Sequence, residues 1–371
     1  MHIVHTESSQ GWGGQEIRIL TEAAGMIARG HRVTLLTPPT ARIHDAARAR
    51  GIETVALPLE KKRLSGLVAM RRWLVENPGV DVINTHSSTD SWLAGLATLT
   101  SRQAPAIVRT RHISAAVHDS WSNRWLYGRS ARRVVTTGEA LRLELIDSLH
   151  LPAEHVLSVA TGIDLQRFSR AAAPERAAAR QALGLPENAF IVGIAATLRS
   201  WKGHDDLLAA FELLAGADPD LHVAIAGDGP RRAHLEQKIA ASAHCERIHL
   251  LGHREDVPAV LAALDLFVLP SYANEGVPQA IMQAMAMELP VISTTIGAIS
   301  DAVVDGSTGR LLAPRDPQTL AAAIAALRRD DKLRQTYATA GRRRVEEKFS
   351  LDGMVDAMLD VFQAVRASTR Q

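Results

Sequence analysis

Residues 266–292 spell out one repeat of a parallel sheet. An apolar run, Leu266 to Leu269, ends at Pro270, and a polar loop follows with a single acid, Glu275, beside Gly276. Pro278 suits the first turn of a helix, where its missing N–H costs nothing. That helix breaks at Leu289-Pro290, and a second apolar run starts at Val291 and Ile292. Strand, helix and strand in this order imply parallel pairing. In open α/β sheets, ligands bind at the loops between strand ends and helix starts. The free N–H groups of such a helix start suit a phosphate.

The alternation runs through the chain twice. In the first half, His2 to His5, Arg32 to Leu36, Val80 to Thr85, Ala106 to Thr110 and Val134 to Thr137 read as strands. Glu16 to Arg29 has helical spacing, closed by Gly30. In the second half, Phe190 to Ala195, Leu221 to Ala226, Arg247 to Leu250, Leu266 to Leu269 and Val291 to Ser293 read as strands. The expected fold class is α/β, with two doubly wound Rossmann-like domains whose parallel sheets face an interdomain cleft. The first domain is expected over 1–165 and the second over 189–350. The Ala-, Arg- and Pro-rich stretch 166–188 reads as a linker with a short helix.

Charge narrows the partners. Residues 1–165 hold 19 Lys/Arg against 15 Asp/Glu, and the rest hold 23 against 25. This imbalance is too small to argue for nucleic acid, but it allows contact with an anionic surface. Two segments interleave cations with aromatics. One is Lys61-Lys62-Arg63 ahead of Leu64 to Val75, with Arg71, Arg72 and Trp73. The other carries Trp121, Arg124, Trp125, Tyr127, Arg129, Arg132 and Arg133. Anionic membrane surfaces attract such patterns, and a solvated helix with buried Trp produces them too. Cys245 is the only cysteine, so the chain can form neither an internal disulfide nor a thiolate metal cluster. No charged leader with an apolar core opens the sequence, and no apolar run nears the roughly 20 residues of a membrane span. A cytoplasmic location is expected.

Several strand ends carry chemistry. Gly11-Trp12-Gly13-Gly14-Gln15-Glu16 opens a helix after the first strand. A dinucleotide fingerprint would need Gly at position 16 and an acid after the second strand, which instead ends Leu35-Leu36-Thr37-Pro38. Gly13 and Gly14 still let a backbone approach a phosphate. His86 and His112 both end strands, at the productive edge of a parallel sheet. Thr197 to Gly203 brings Arg199 and Lys202 to another strand end, where a fork and a point charge could neutralise a diphosphate. Neither a metal-ligand cluster nor an Asp-x-Asp dyad of the metal-using kind is read from the sequence, so no metal and no cofactor are expected.

The segment around Glu275 resembles the donor-site signature of the retaining GT-B glycosyltransferases, family 4. In that family a Glu-Gly-x-Pro sequence opens a helix, and a second Glu follows eight positions after the first. Glu275, Gly276 and Pro278 match, whereas position 283 is Gln283. Five further loops resemble the family in order. They are Gly-Gly-x-Glu ending at Glu16, His112, Lys202-Gly203, Gly227-Asp228-Gly229-Pro230, and the base-contacting loop Gly252 to Val257 with Arg254. Thr161-Gly162-Ile163-Asp164 with Phe168 resembles the family's domain-junction turn.

The resemblance implies a retaining transfer of sugar from a nucleotide-diphosphate-sugar to a hydroxyl of a glycan or glycolipid, in bacterial lipopolysaccharide or polysaccharide synthesis. His112, Glu275, Lys202 and Arg199 would be catalytic. Gly13, Gly14, Gly227, Gly229, Arg254, Asn274, Gly276, Val277, Pro278 and Gln283 would hold the donor, with Glu16 and His86 on the acceptor side. The helix at about 351–371 would pack back on the first domain, and the protein would work at the cytoplasmic face of the inner membrane. A GT-B nucleotide-sugar epimerase and a non-catalytic nucleotide-sugar-binding protein are the alternatives.

Overall fold

A computed structural model of the chain describes residues 1–101, 104–112 and 115–369. They form two units, one of Met1–Gly162 with the C-terminal segment from Leu351, the other of Ile163–Ser350.

The first unit is built on seven parallel strands: β1 (His2–Thr6), β2 (Arg32–Thr37), β3 (Glu53–Ala56), β4 (Val82–Thr85), β5 (Ala106–Arg111), β6 (Arg133–Thr136) and β7 (Val156–Ser158). Their spatial order is β3-β2-β1-β4-β5-β6-β7. Side chains alternate between faces along a strand, so register decides which residues share a face. His5 pairs with Asn84, and Asn84 with Val108. One face therefore carries Ile3 and His5, then Val82, Asn84 and His86, then Val108, Thr110 and His112. It begins apolar and turns polar toward the carboxyl edge. Ile3, Val82 and Val108 join the core beneath the Gly14–Ala28 helix and the terminal Leu351–Thr369 helix. The opposite face, with Val4, Ile83, Ile107 and Val134, forms a second core.

The terminal helix contributes Met354, Val355, Met358 and Phe362, all buried. Burying each such side chain stabilises the unit by roughly 1.5–3 kcal/mol. Gly25 permits the approach, because a Cβ there would lie 2.6 Å from Val355 Cγ2. Arg29 pins the helix start through Asp352 and Asp356, each at 2.8 Å.

The second unit has six parallel strands: β8 (Phe190–Ala195), β9 (Leu221–Ala226), β10 (Ile248–Gly252), β11 (Leu266–Leu269), β12 (Val291–Thr294) and β13 (Arg310–Leu312). Their order is β10-β9-β8-β11-β12-β13. In each sheet the order reverses beside the first strand, between β1 and β4 and between β8 and β11. Such a switch point opens a crevice at the carboxyl ends.

Three strands lack a sequence signal: β3, β7 and β13. All are sheet edges of three or four residues, without the apolar run of a strand buried on both faces. The expected linker 166–188 lies within the second unit. Its Arg176–Ala182 helix buries Arg180, which donates to Ala263 O at 2.9 Å and pairs with Asp265 at 2.7 Å. The second unit starts at Ile163, whose N–H donates to Phe349 O at 2.7 Å.

Candidate functional site

At the second unit's switch point, the loop after β8 carries Lys202 and the loop after β11 carries Glu275. Lys202 Nζ lies 2.6 Å from Glu275 Oε1, and Ser271 Oγ donates to the same oxygen at 2.6 Å. Glu275 is only 4% exposed. A buried carboxylate is tolerated when paired and hydrogen-bonded, and both conditions hold here.

Glycines bring the loops together. Gly203, at φ 77°, backs onto Pro270, and a Cβ would fall 2.0 Å from the Pro270 carbonyl oxygen. Gly297, at φ 58°, would put a Cβ 2.0 Å from Glu275 O. Only a residue without a side chain fits either place. Tyr272 N donates to Trp201 O at 2.9 Å, and Ser293 Oγ to Leu269 O at 2.6 Å. Gly227 N donates to Gly252 O at 2.7 Å, and Leu198 N to Asp228 O at 3.0 Å, so Gly227 and Gly229 belong to the same knit of loops.

Pro278 is the N-cap of the Gln279–Ala286 helix, one position ahead of the expected first turn, and no side chain caps it. Val277 and Pro278 are buried, Gly276 and Gln283 are half-buried, and Asn274 is exposed with φ 57°. Arg199 is exposed and lies over the Trp201 ring at 5.2 Å. Arg254 is held by Asp256 at 2.6 Å.

The first unit's edge is of a different kind. His5, His86 and His112 stand on β1 and just past β4 and β5, and adjacent strands lie about 4.8 Å apart. Their rings follow that spacing, with centroids 5.2 Å and 5.1 Å apart. His5 Nδ1 meets His86 Nε2 at 2.9 Å, and His86 Nδ1 meets His112 Nε2 at 2.9 Å. Burial pushes His5 down to about 3, helped by Arg18. Burial also holds His86 and His112 well below the usual histidine value, with neighbouring cations adding to the effect. All three imidazoles are neutral at neutral pH.

Acids surround this edge. Glu16 is buried in the first turn of the Gly14–Ala28 helix, and its carboxylate folds back toward the Gly11–Gly13 turn, 3.7 Å from where a Gly13 Cβ would sit. A negative charge is favoured at that helix end. The same charge would repel a phosphate brought to the Gly13-Gly14 turn. Glu7 is fully buried, accepting from Ser9 N at 2.7 Å and from Gln15. Burial and the nearby Asp90 charge push its carboxyl up to about 8. Asp90, raised mainly by burial, accepts from Ser87 N at 3.0 Å.

His5, Glu7, Arg18, Glu22, Asp90 and Ser271 were not singled out by sequence reasoning. A usable signal existed for two of them. Arg18 and Glu22, four apart, fall beside the apolar stripe Ile19, Ala23 and Met26, where charges are unexpected. Among the described residues, no group of three or more His, Cys, Asp or Glu could hold a metal ion.

Two family models match the chain, Glycosyltransferase Family 4 over residues 12–167 and Glycosyl transferases group 1 over residues 175–344. The chain is 29% identical to a D-inositol 3-phosphate glycosyltransferase of Salinispora arenicola, covering 98% of this chain and 90% of the relative. It is 30% identical to the lipopolysaccharide core biosynthesis mannosyltransferase LpsB of Rhizobium meliloti, covering 67% and 69%. The Anabaena HepE structure in complex with UDP superposes with a TM-score of 0.84 at 22% identity, over 98% of this chain and all of that one. That likeness shows the shared GT-B architecture of two Rossmann-like domains.

Proposed function

The chain belongs to glycosyltransferase family 4, and on that premise we propose that it moves a sugar from a nucleotide-diphosphate-sugar to a hydroxyl of a glycan or glycolipid. The reaction would retain anomeric configuration and use no metal ion. The acceptor oxygen bonds to the anomeric carbon on the face that the diphosphate leaves, and the hydroxyl proton passes to the departing phosphate.

The observation that carries this reading is the Lys202–Glu275 pair at the switch point of the second unit. An ammonium has three N–H donors. One serves Glu275, which leaves two for the oxygens of a diphosphate as its charge develops. Fixed donors aimed at developing charge are usually the largest catalytic term. Lys202 and Ser271 both bond Oε1 of Glu275, and Oε2 is the oxygen proposed for a donor-sugar hydroxyl. Arg199 is the second phosphate cation, Gln283 the ribose partner, and Gly227, Gly229 and Arg254 neighbours of the nucleotide. His112 serves the reacting centre.

Glu16 and His86 belong to the acceptor side in this reading. The acids there favour a polyhydroxylated acceptor, in keeping with the lipopolysaccharide core biosynthesis in one relative's name, whereas the D-inositol 3-phosphate in another's also carries a phosphate. That similarity supports a role in bacterial cell-surface glycan synthesis. Among the described residues, no helix is long and apolar enough to cross a membrane. Peripheral contact with an anionic membrane is supported by the Leu64–Glu76 helix, which exposes Leu64, Val68 and Val75 beside Arg71 and Arg72. The second cation-aromatic segment supports it less. There Tyr127 is buried under Arg109, and Trp125 stacks on Trp92, while Trp121 stays exposed.

Thermal shift against UDP-, GDP- and ADP-sugars tests the donor reading, because a ligand of the native state raises apparent stability by mass action. One nucleotide is expected to raise the Tm of the wild type and to do so far less in Lys202→Ala. No shift with any of them would overturn it, and donor turnover without acceptor would point to an epimerase.

A further inference from the structure

The His112 imidazole is the end of a line of three. In a line His5 Nδ1···Nε2 His86 Nδ1···Nε2 His112, each bond takes one proton. Three neutral rings carry three N–H protons, so two fill the bonds and the third sits at one end. If His5 carries its proton on Nε2, its Nδ1 must accept from His86 Nε2–H. His86 Nδ1 must then accept from His112 Nε2–H, and His112 Nδ1 is a bare acceptor. If His5 carries its proton on Nδ1, both bonds reverse and His112 Nδ1 becomes a donor. No mixed arrangement keeps both bonds.

The other end of the line breaks this symmetry. His5 Nε2 is buried without a hydrogen-bond partner, and Glu22 Oε1 lies 4.0 Å from it. That distance is too long for a hydrogen bond and short enough for charge to act in a buried site. A carboxylate there attracts an N–H and repels a lone pair. Glu22 is itself fully buried. Burial pushes its carboxyl upward, while Arg18 Nε at 3.4 Å and Asn84 Nδ2 at 3.3 Å favour the ionised form. Arg18, Arg109 and Arg111 oppose an extra proton on His112, and Arg18 opposes one on His5, which keeps the count at three.

We propose that Glu22, acting through His5 and His86, holds His112 in the tautomer with Nε2 protonated and Nδ1 bare. Glu22 and His5 are then positioning residues that make His112 Nδ1 a hydrogen-bond acceptor for a hydroxyl of the bound sugar or acceptor. The use of that acceptor rests on the glycosyltransferase reading, whereas the tautomer itself does not.

The test is nitrogen NMR of the full-length protein with ¹⁵N-labelled histidine, without substrate, near neutral pH. The His112 signals are identified by their loss in His112→Gln. The expected wild-type spectrum shows a pyrrole-like Nε2 and a pyridine-like Nδ1 for His112. A protonated Nδ1 overturns the proposal with no variant needed. Glu22→Gln should mix or reverse the tautomers. Since it strands Arg18 in the interior, the double variant Arg18→Met with Glu22→Gln, which removes both charges, and His5→Leu, which cuts the line, are measured beside it. An unchanged His112 tautomer in the folded variants overturns the role of Glu22. In the transfer assay, the same variants should lower kcat about tenfold or more, by analogy with residues that orient a metal-bound histidine, and leave donor KM near the wild-type value. A change in donor KM with kcat unchanged would count against action through His112. Loss of transfer by the wild type in every assay would sink the glycosyltransferase reading and leave the tautomer result standing.

Discussion

The two sheets have the same strand order around the first strand, and each sets its polar groups on the two strands that flank the reversal. They differ in the groups that stand at the strand ends. At β8 and β11, Lys202 and Glu275 keep opposite charges in contact at 2.6 Å, with Ser271 as a further donor. At β1 and β4, His5 and His86 are stripped of charge by burial, and Glu7 is pushed toward its neutral form. A paired, partly open edge suits a charged diphosphate. A line of neutral, hydrogen-bonded imidazoles with acids around it suits hydroxyls. In the proposed function one architecture thus serves two kinds of ligand, and the difference lies in the few residues just beyond the strand ends.

The largest effect should come from breaking the paired edge. Lys202→Ala removes the proposed phosphate donor, and transfer should fall by about 10²- to 10³-fold, as for loss of a single preorganised donor. Glu275→Ala should abolish measurable transfer while circular dichroism stays native, since Lys202 is part-exposed and can turn to water. Arg199→Ala should lose far less, because Arg199 is exposed and rests on Trp201. Donor turnover by the three purified variants decides the matter. A greater loss at Arg199 than at Lys202 would move the phosphate clamp to Arg199.

The imidazole edge makes a prediction in pH. Burial, with Asp90 beside it, raises the Glu7 carboxyl from about 4.5 unfolded to about 8 folded. The folded state therefore binds more protons than the unfolded state between those values. The stabilisation is fully present below about pH 4.5 and is lost as pH rises toward 8. Glu7→Gln keeps a neutral side chain at every pH, so it should flatten this slope and stabilise the protein at pH 8 by a few kcal/mol. Urea titrations at pH 5, 6.5 and 8 would show it. Parallel pH profiles for the two proteins would mean that Glu7 is not the group that titrates.

The architecture was more legible than the sites. The central strands β8, β9 and β11 lie where their apolar runs put them, because strands buried on both faces need unbroken apolar stretches. The edge strands β3, β7 and β13 carry no such run and leave no signal in the sequence. Glu275 and Lys202 were found through family motifs, but their contact joins residues 73 positions apart and has no local signature. The histidine line is harder still. It depends on β1, β4 and β5 being neighbours in a particular register, and strand order is not written in any single segment. Arg180 shows the converse case. Its stretch reads as a linker by composition, yet it donates into the second unit's interior, which composition alone does not reveal.

A smaller test asks whether the paired edge accepts one more charge. Gln283 stands half-buried on the Gln279–Ala286 helix, eight residues after Glu275, at the place where the family pattern has a second acid. If it is the ribose partner, its amide offers one acceptor oxygen where a carboxylate offers two. Gln283→Glu should then tighten nucleotide binding by about 1 kcal/mol, or about fivefold. Repulsion between the new carboxylate and the diphosphate works the other way. The hydrogen bond should win, because the ribose separates position 283 from the phosphates and Lys202 lies at the same edge to offset the charge. A 2′-deoxy nucleotide should show no gain, since the added oxygen would have no hydroxyl to accept from. Calorimetry of both proteins with matched ribo- and deoxynucleotides separates the two terms. Equal affinities throughout would remove Gln283 from the ribose site, and weaker binding of both nucleotides would mean that repulsion governs this edge.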